Sequence, residues 1–406
     1  MENNNGIIPV ILGADLGAYS AARAFFEHTG ENSYLFARAR LAISDGAEFT
    51  RTIAIKDFDE CNVAVPALIT FAKAQAPRRL ILVPVADWYM QMTEYARDTL
   101  RGYFFFNLPR FEIWRAVSDK LSFYKLLSKF GIPAPRSLQI SLSDTSAVDQ
   151  LSSPYVLKPA DSTEYWKHKF DGMQKVYFPR DKERIGDILS EIEGAGYGGR
   201  IILQERIGDL SDKPHSSVFT TYSDKNGKVR ACVFARVLVE EQGRTSKGNY
   251  AALVTDRPTA ICNSIVNMLN SIGYTGFANF DILTLGDKEY CLELNARPGR
   301  SCDHLRAAGM NIAELLLCDL NGSEFPKYEQ REIFWRCLPL AAVKKLADDE
   351  ALLRRALSIA DAGGEHTPHK GLEGQSVSRK VYLFVHGLKR GIVSMRDSAR
   401  AAEGKI

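Results

Sequence analysis

Several features that define common protein classes are missing from this chain of 406 residues. Its seven cysteines include no C-x-x-C pair, which argues against a zinc site or a disulfide framework and favours reduced thiols. No apolar run is long enough to span a bilayer, and residues 1–5 lack the basic and then apolar order of a signal peptide. We therefore expect a cytoplasmic protein without a membrane span.

Charge of one sign is also scarce, because the net charge is +3 and neither a basic tract nor an acidic tail is present. We therefore expect no nucleic-acid partner. The sequence G-x-x-x-x-G-K-[ST] does not occur, which excludes a P-loop enzyme. What remains is an ordinary globular composition, 45% hydrophobic and 25% charged, in a chain long enough for two or three domains.

The first part of the chain alternates apolar strands with helices, which predicts an α/β domain around a parallel sheet. Residues 7–12 form an apolar run, a glycine turn follows it, and residues 18–28 are predicted to be helical. A nicotinamide-dependent oxidoreductase is one alternative for such a start. However, the glycine spacing over residues 13–17 is not G-x-G-x-x-G.

Later segments combine short strands with polar connections. A helix is predicted from Ser118, with this serine as its cap, and strands are predicted over residues 155–159 and 201–204. Asn226-Gly227 is a strong signal for a hairpin between antiparallel strands. Near the end of the chain, the apolar run 381–385 is predicted to be a strand.

The sharpest polar cluster is Asp281 with Glu293 and Asn295. Residues two apart on a strand share a face, so Glu293 and Asn295 should project together. If residues 286–288 form a three-residue hairpin loop, Asp281 lies directly across from Glu293. Two carboxylates so close favour a cation between them, and hard oxygen ligands suit Mg²⁺. The alternative is a solvated polar face on an edge hairpin.

Two arginines, Arg297 and Arg300, follow the acidic strand in a loop with a proline and a glycine. Guanidinium groups suit phosphate and carboxylate groups, so the loop is predicted to clamp a phosphate and a substrate. The alternative is a pair of surface arginines bound to Glu293 or Asp303.

Candidates for binding the rest of a nucleotide lie upstream. Lys120 and Lys158 could neutralise phosphates, although a single lysine is more often simply solvated. The backbone after strand 201–204 could contact an adenine, and Asp209 or Asp212 could accept the ribose hydroxyls. An ordinary strand end is the alternative for this segment.

In their order along the chain, these segments resemble the ATP-grasp superfamily over residues 118–325. The segments are Ser118-Asp119-Lys120, Tyr155-Val156-Leu157-Lys158-Pro159, Gln204-Glu205-Arg206-Ile207, Phe280-Asp281 and Glu293-Leu294-Asn295. Residues 9–15, 246–250 and 295–301 also resemble the D-aspartate ligase branch of that superfamily. The resemblance implies an α/β (α+β) chain with a two-lobed ATP-grasp fold.

The implied domain organisation has four parts. An N-terminal pre-ATP-grasp domain of the parallel α/β type would occupy residues 1–116, and the small lobe with a mobile loop would occupy 117–206. The large lobe with the metal site would follow over 207–325. Residues 326–406 would form a C-terminal α/β extension, which either covers the core or makes a homodimer contact.

The resemblance also implies roles for single residues. Lys120 and Lys158 would hold phosphates of ATP, and Arg297 or Arg300 would steady the transferring phosphoryl group. One or two Mg²⁺, with Mn²⁺ as a substitute, would be held by Asp281, Glu293 and Asn295. The nucleotide would also be bound by Ser162, Gln204, Glu205, Arg206, Ile207 and Asp209 or Asp212.

The activity implied is that of a carboxylate-amine ligase that works through an acyl-phosphate. Its substrates would be an amino acid such as aspartate and the amine of a peptide or peptidoglycan precursor. One departure concerns Asn279, which stands where many relatives carry an arginine. A non-enzymatic alternative is an ATP-binding module of this fold that has lost turnover.

Overall fold

The computed structural model describes residues 6–143, 145–208, 212–241, 248–369 and 376–402. Its N-terminal part is a four-stranded parallel sheet with the order β3-β2-β1-β4. The first strand is buried along its whole length, as expected where both faces of a parallel sheet are covered. The strands are β1 (Ile7–Leu12), β2 (Ser33–Ala37), β3 (Thr50–Ala54) and β4 (Arg79–Pro84). The helices are α1 (Leu16–Thr29), α2 (Cys61–Gln75), α3 (Asp87–Tyr95) and α4 (Arg97–Arg101).

The next part is built on a small antiparallel sheet with the order β5-β7-β6. Its strands are β5 (Ser137–Ile140), β6 (Tyr155–Pro159) and β7 (Ile201–Glu205). The helices before and around it are α5 (Phe111–Ser118), α6 (Lys120–Lys129), α7 (Ser162–Tyr165) and α8 (Lys182–Gly194).

The helix predicted from Ser118 begins later than expected. Ser118 is the last residue of α5, and the cap of α6 is Asp119, whose carboxylate accepts a hydrogen bond from the backbone N–H of Ser122 at 2.9 Å. The prediction was wrong because the chain bends between two helices that the sequence pattern had not separated. The bend places Lys120 in the first turn of α6.

The third part is a seven-stranded sheet with the order β12-β11-β8-β9-β10-β13-β14. Its strands are β8 (His215–Ser223), β9 (Val229–Glu240), β10 (Tyr250–Thr255), β11 (Gly276–Leu285), β12 (Lys288–Asn295), β13 (Phe334–Arg336) and β14 (Glu365–His366). Its helices are α9 (Ala260–Ile272), α10 (Asp303–Ala307), α11 (Ile312–Asn321), α12 (Leu340–Leu346), α13 (Glu350–Asp361) and α14 (Val377–Ala402).

The apolar run 381–385 lies in helix α14, so the strand predicted there was wrong. The run continues with Leu388 and Ile392, and these spacings follow the turn of a helix rather than the alternation of a strand. Within the described parts of the chain, no helix has the length and apolarity needed to cross a membrane.

The hairpin between β11 and β12 differs from the expected one in two details that cancel. Leu285 pairs with Lys288, so the turn contains two residues and not three. The register then shifts between Asp281 and Ile282, because Leu292 is an extra residue in β12, a β-bulge. Asp281 consequently does lie opposite Glu293, as predicted.

Candidate active site

A cleft of about 1310 Å³ lies where the three parts of the chain meet. It is lined by Asp87 from the N-terminal domain, by Lys158 from the small sheet and by Asp281 from the large sheet. Most of the sequence-predicted site residues line it: Lys120, Lys158, Gln204, Glu205, Arg206, Ile207, Asp281, Glu293, Asn295, Arg297 and Arg300. The fold therefore brings together segments that are far apart along the chain.

Asp281 and Glu293 face each other across the β11–β12 ladder. The hydroxyl of Tyr250 donates a hydrogen bond of 2.7 Å to the Asp281 carboxylate. Burial, together with the negative charge of Glu293, raises the pKa of Asp281 to about 8. A proton on Asp281 relieves the repulsion between the two carboxylates, and a bound cation would do the same.

The cation that Glu293 contacts in this structure is Lys120, whose Nζ lies 2.6 Å from the Glu293 carboxylate. The charge of Lys120 holds the pKa of Glu293 well below its usual range. Burial, and then the nearby charge of Lys120, lower the pKa of Lys158 well below its usual value. An anion between the two lysines would favour their charged forms, so this pair suits a phosphate group.

The donor set at the carboxylates fits Mg²⁺. This donor set contains only two carboxylates, and over the ranges that the structure describes there is no group of three or more His, Cys, Asp and Glu that could hold a metal. Asp281, Glu293 and the amide oxygen of Asn295 would supply three oxygen ligands, which leaves room for water and phosphate oxygens. Mg²⁺ is usually bound in this way, by few protein carboxylates together with substrate phosphates.

The side chains of Gln204, Glu205 and Arg206, at and just after the end of β7, already contact other residues of the protein. Gln204 is buried, receives a 3.3 Å hydrogen bond from Lys158 and donates one of 2.9 Å to the hydroxyl of Tyr124. Glu205 pairs with Arg136 at 3.0 Å, while the guanidinium of Arg206 lies 5.2 Å from the ring centre of Phe178. Contacts from Glu205 to a nucleotide would therefore come from its backbone.

Three other predicted residues are not placed at the cleft by the structure. Asp209 lies outside the described residues. Ser162 begins α7, next to the lining residue Asp161. Asp212 is exposed and does not line the cleft.

Both predicted arginines are held by acidic residues. Arg297 makes two hydrogen bonds to Asp87, of 2.7 and 2.8 Å, and a third of 3.3 Å to the side-chain oxygen of Asn295. Arg300 lies 3.8 Å from the carboxylate of Glu241, which also accepts a hydrogen bond from Arg390 of helix α14.

Asn279 supports the loop that carries Arg297 and Arg300. Asn279 accepts a hydrogen bond of 2.7 Å from Thr220, and it lies directly beneath Gly299. A Cβ on Gly299 would come within 3.0 Å of the Asn279 side-chain oxygen. The loop that carries both arginines therefore packs closely onto Asn279, which leaves little space for a longer side chain.

Several residues at or behind the cleft had no predicted role. Asp87 and Tyr250 line it, while Tyr124 contacts Gln204 and Glu241 lies beside Arg300. A signal existed for Asp87, because it follows directly after β4, and ligands of parallel α/β sheets bind at the carboxyl ends of the strands. Tyr250 ends the segment 246–250 that resembles the D-aspartate ligase branch, whereas no sequence signal pointed to Tyr124 or Glu241, whose contacts join distant segments.

Comparisons with known proteins show a family and solved structures to which this chain is similar. Residues 117–301 match the ATP-grasp domain family. The chain shares its fold with biotin carboxylase from Campylobacter jejuni, with a TM-score of 0.60 at 17% identity over 80% of this chain and 74% of that one. An L-amino acid ligase from Bacillus licheniformis has a TM-score of 0.57 at 15% identity, over 81% and 78% of the two chains. Residues 117–301 therefore resemble an ATP-grasp domain, and the likeness to the solved structures shows a shared fold.

Among curated proteins, the chain is similar to the D-aspartate ligase of Enterococcus faecium (strain Aus0004). The identity is 29% over 326 residues, which are 78% of this chain and 77% of that protein. The resemblance to the ATP-grasp superfamily and to its D-aspartate ligase branch is thus confirmed, as is the mixed α/β fold class.

Proposed function

We propose that the protein is an ATP- and Mg²⁺-dependent ligase that joins a carboxylate to an amine through an acyl-phosphate. The observation that carries this proposal is the facing pair Asp281 and Glu293, with Lys120 and Lys158 beside it in one cleft. The similarity to a D-aspartate ligase and to an L-amino acid ligase supports amino acid ligation.

The proposed reaction has two steps. An oxygen of the substrate carboxylate attacks the γ-phosphorus of ATP, the bond to the β-phosphate oxygen breaks, and ADP leaves. A neutral amine then attacks the acyl carbon, the carbon–oxygen bond to phosphate breaks, and the amine loses a proton as the amide forms. The protein orients the three substrates and shields the acyl-phosphate from water.

Each group in the cleft has a task in these steps. Lys120 and Lys158 would hold the ATP phosphates, and Asp281, Glu293 and Asn295 would hold Mg²⁺, which would offset negative charge during phosphoryl transfer. Arg297 and Arg300 line the same cleft, and their guanidinium groups would suit both the acid's carboxylate and the transferring phosphoryl group.

We propose an amino acid, D- or L-aspartate among the first candidates, as the acid. The acceptor would be the amine of a peptide or peptidoglycan precursor. The similarity to the D-aspartate ligase of Enterococcus faecium and the two arginines support an acidic amino acid. An ATP-binding module without turnover is disfavoured, because the carboxylates, the amide and both lysines are all present in the cleft.

The test is phosphate release from ATP with Mg²⁺, measured with D- and L-amino acids alone and paired with amine acceptors. Glu293→Ala should abolish release, whereas Asp287→Asn, in the turn of the same hairpin, is the matched control and should retain it. Release that requires an acid and an amine together supports the ligase. ATP binding without release for any pair would contradict it.

A further inference from the structure

The C-terminal helix α14 carries an exposed apolar surface that no contact described above uses. Of the twelve large apolar side chains that are exposed among the described residues, eight lie on this helix. Five of them recur at helical spacing along one face and are between 43% and 67% exposed. These five residues, called the apolar stripe below, are Val381, Phe384, Val385, Leu388 and Ile392.

The opposite face of α14 is fastened to the rest of the chain. Arg379 donates a hydrogen bond of 2.7 Å to the backbone oxygen of Ile43, and Arg390 donates one to Glu241. On the flank of the helix between Phe384 and Lys380, Gly391 passes so close to Pro339 that a Cβ would lie 3.3 Å from its ring. These contacts fix the rotation of the helix, so the apolar stripe faces outward.

The charges of α14 indicate what the apolar stripe contacts. The helix has six Lys and Arg but a single acidic residue, Asp397. At about 100° per residue, Lys380 falls at one edge of the stripe, and Lys389, Arg396 and Arg400 fall at the other. A helix with an apolar face between basic edges is the kind that lies in the interface of an anionic membrane.

We propose that α14 docks the protein flat on an anionic lipid surface, with the apolar stripe inserted between headgroups and the basic edges beside lipid phosphates. A second copy of the chain fits this face less well, because two such helices would bring basic edges together without acidic partners. The stripe is also only one helix wide, whereas a stable protein interface needs roughly 800 Å² from each partner.

The experiment is sedimentation of the full chain with phosphatidylcholine vesicles that either lack or contain about 30% phosphatidylglycerol, since basic segments bind anionic leaflets electrostatically. Binding should require the anionic lipid and should weaken as salt is raised. Phe384→Gln with Ile392→Gln should weaken binding at least about tenfold, because both side chains lose their place in the acyl region. Trp88→Gln, an exposed aromatic elsewhere, is the control and should bind like the wild type.

Charge-reversal variants separate the electrostatic contribution to vesicle binding from the apolar contribution. Lys380→Glu with Lys389→Glu should weaken binding about a hundredfold, given the electrostatic attraction of each basic group to the surface. Lys73→Glu with Lys129→Glu, away from α14, should have little effect. Circular dichroism and the melting temperature identify variants that fail to fold. Equal vesicle binding by all variants, or no binding by the wild type, would overturn the proposal. So would light scattering that shows a dimer lost with the stripe.

Discussion

The two ends of the cleft hold their charges in different ways. At the proposed metal end, the partners lie within residues 117–301, which match the ATP-grasp domain family: Lys120 contacts Glu293, and Tyr250 contacts Asp281. At the arginine end, each arginine is also linked to a residue outside 117–301, although Glu241, the direct partner of Arg300, lies inside that range. Asp87 of the N-terminal domain holds Arg297, and Arg390 of α14 shares Glu241 with Arg300.

The difference separates what is general from what is particular to this chain. The charged contacts described at the end that would bind ATP and Mg²⁺ lie within residues 117–301, the part that matches a known family, so its residues can be recognised in a sequence. The end that would bind the acid is shaped by the N-terminal domain and the C-terminal helix. Substrate choice should therefore depend on these flanking parts. Substitutions at the metal end should mainly affect ATP and metal binding, whereas those at the arginine end should mainly affect binding of the acid.

The largest effect is expected at the metal end. Lys158→Met removes a cation that we assign to the ATP phosphates, so phosphate release should fall about a hundredfold, as when an electrostatic contact to a transition state is lost. The KM for ATP should rise in the same measurement. Lys182→Met, on the exposed surface of α8, is the matched control. A change confined to the KM for the acid would contradict the division between the two ends.

The pH dependence of metal binding sharpens the same comparison. Because the pKa of Asp281 is raised to about 8, the metal-free carboxyl must release a proton before it binds a cation. Affinity for Mn²⁺ or Mg²⁺ should therefore rise with pH by up to about tenfold per unit and level off above pH 8. Isothermal titration at several pH values checks this, and Asp281→Asn should bind weakly with a flat profile.

The same shift predicts how the stability of the metal-free protein depends on pH. A carboxyl with a raised folded-state pKa holds its proton longer when folded, so stability is lost as pH rises from about 4 to about 8. Urea midpoints should fall over this window and should recover when Mg²⁺ is added at the upper end. A midpoint that is no more pH-dependent in the wild type than in Asp281→Asn would contradict the assignment.

A smaller effect is expected at the arginine end. Asp87→Asn removes the charge that holds Arg297 by two hydrogen bonds, so the arginine becomes less well ordered. The KM for the acid should change about tenfold or less, in line with the loss of one partly exposed charged contact, while the KM for ATP should stay near that of the wild type. Asp98→Asn, an exposed aspartate on α4, is the control.

How far the sequence could predict this site depends on the range of the contacts involved. Strand alternation was enough to place Glu293 and Asn295 on one face. The pairing with Asp281 was predicted from a three-residue turn, and it holds only because the bulge at Leu292 compensates for a shorter one. A bulge leaves no composition signal, so a correct pairing rested on a partly wrong hairpin.

Contacts between residues far apart along the chain could hardly be predicted from the sequence. Nothing local in Arg390 or Glu241 shows that they meet, since the contact needs α14 folded back toward the end of β9. The strand predicted within α14 failed for a related reason, because a five-residue apolar run is too short to show its period. The wider pattern, out to Ile392, was needed to identify a helix.

Strands β13 and β14 have a practical consequence for anyone who shortens this protein. They extend the same sheet that carries Asp281, and β13 pairs with β10 through Leu253 opposite Trp335. A chain cut at residue 325 would leave β10 as an edge strand with unpaired backbone groups and would expose the apolar core around it. Such an edge invites pairing between molecules, so the shortened protein should be recovered mainly as aggregate.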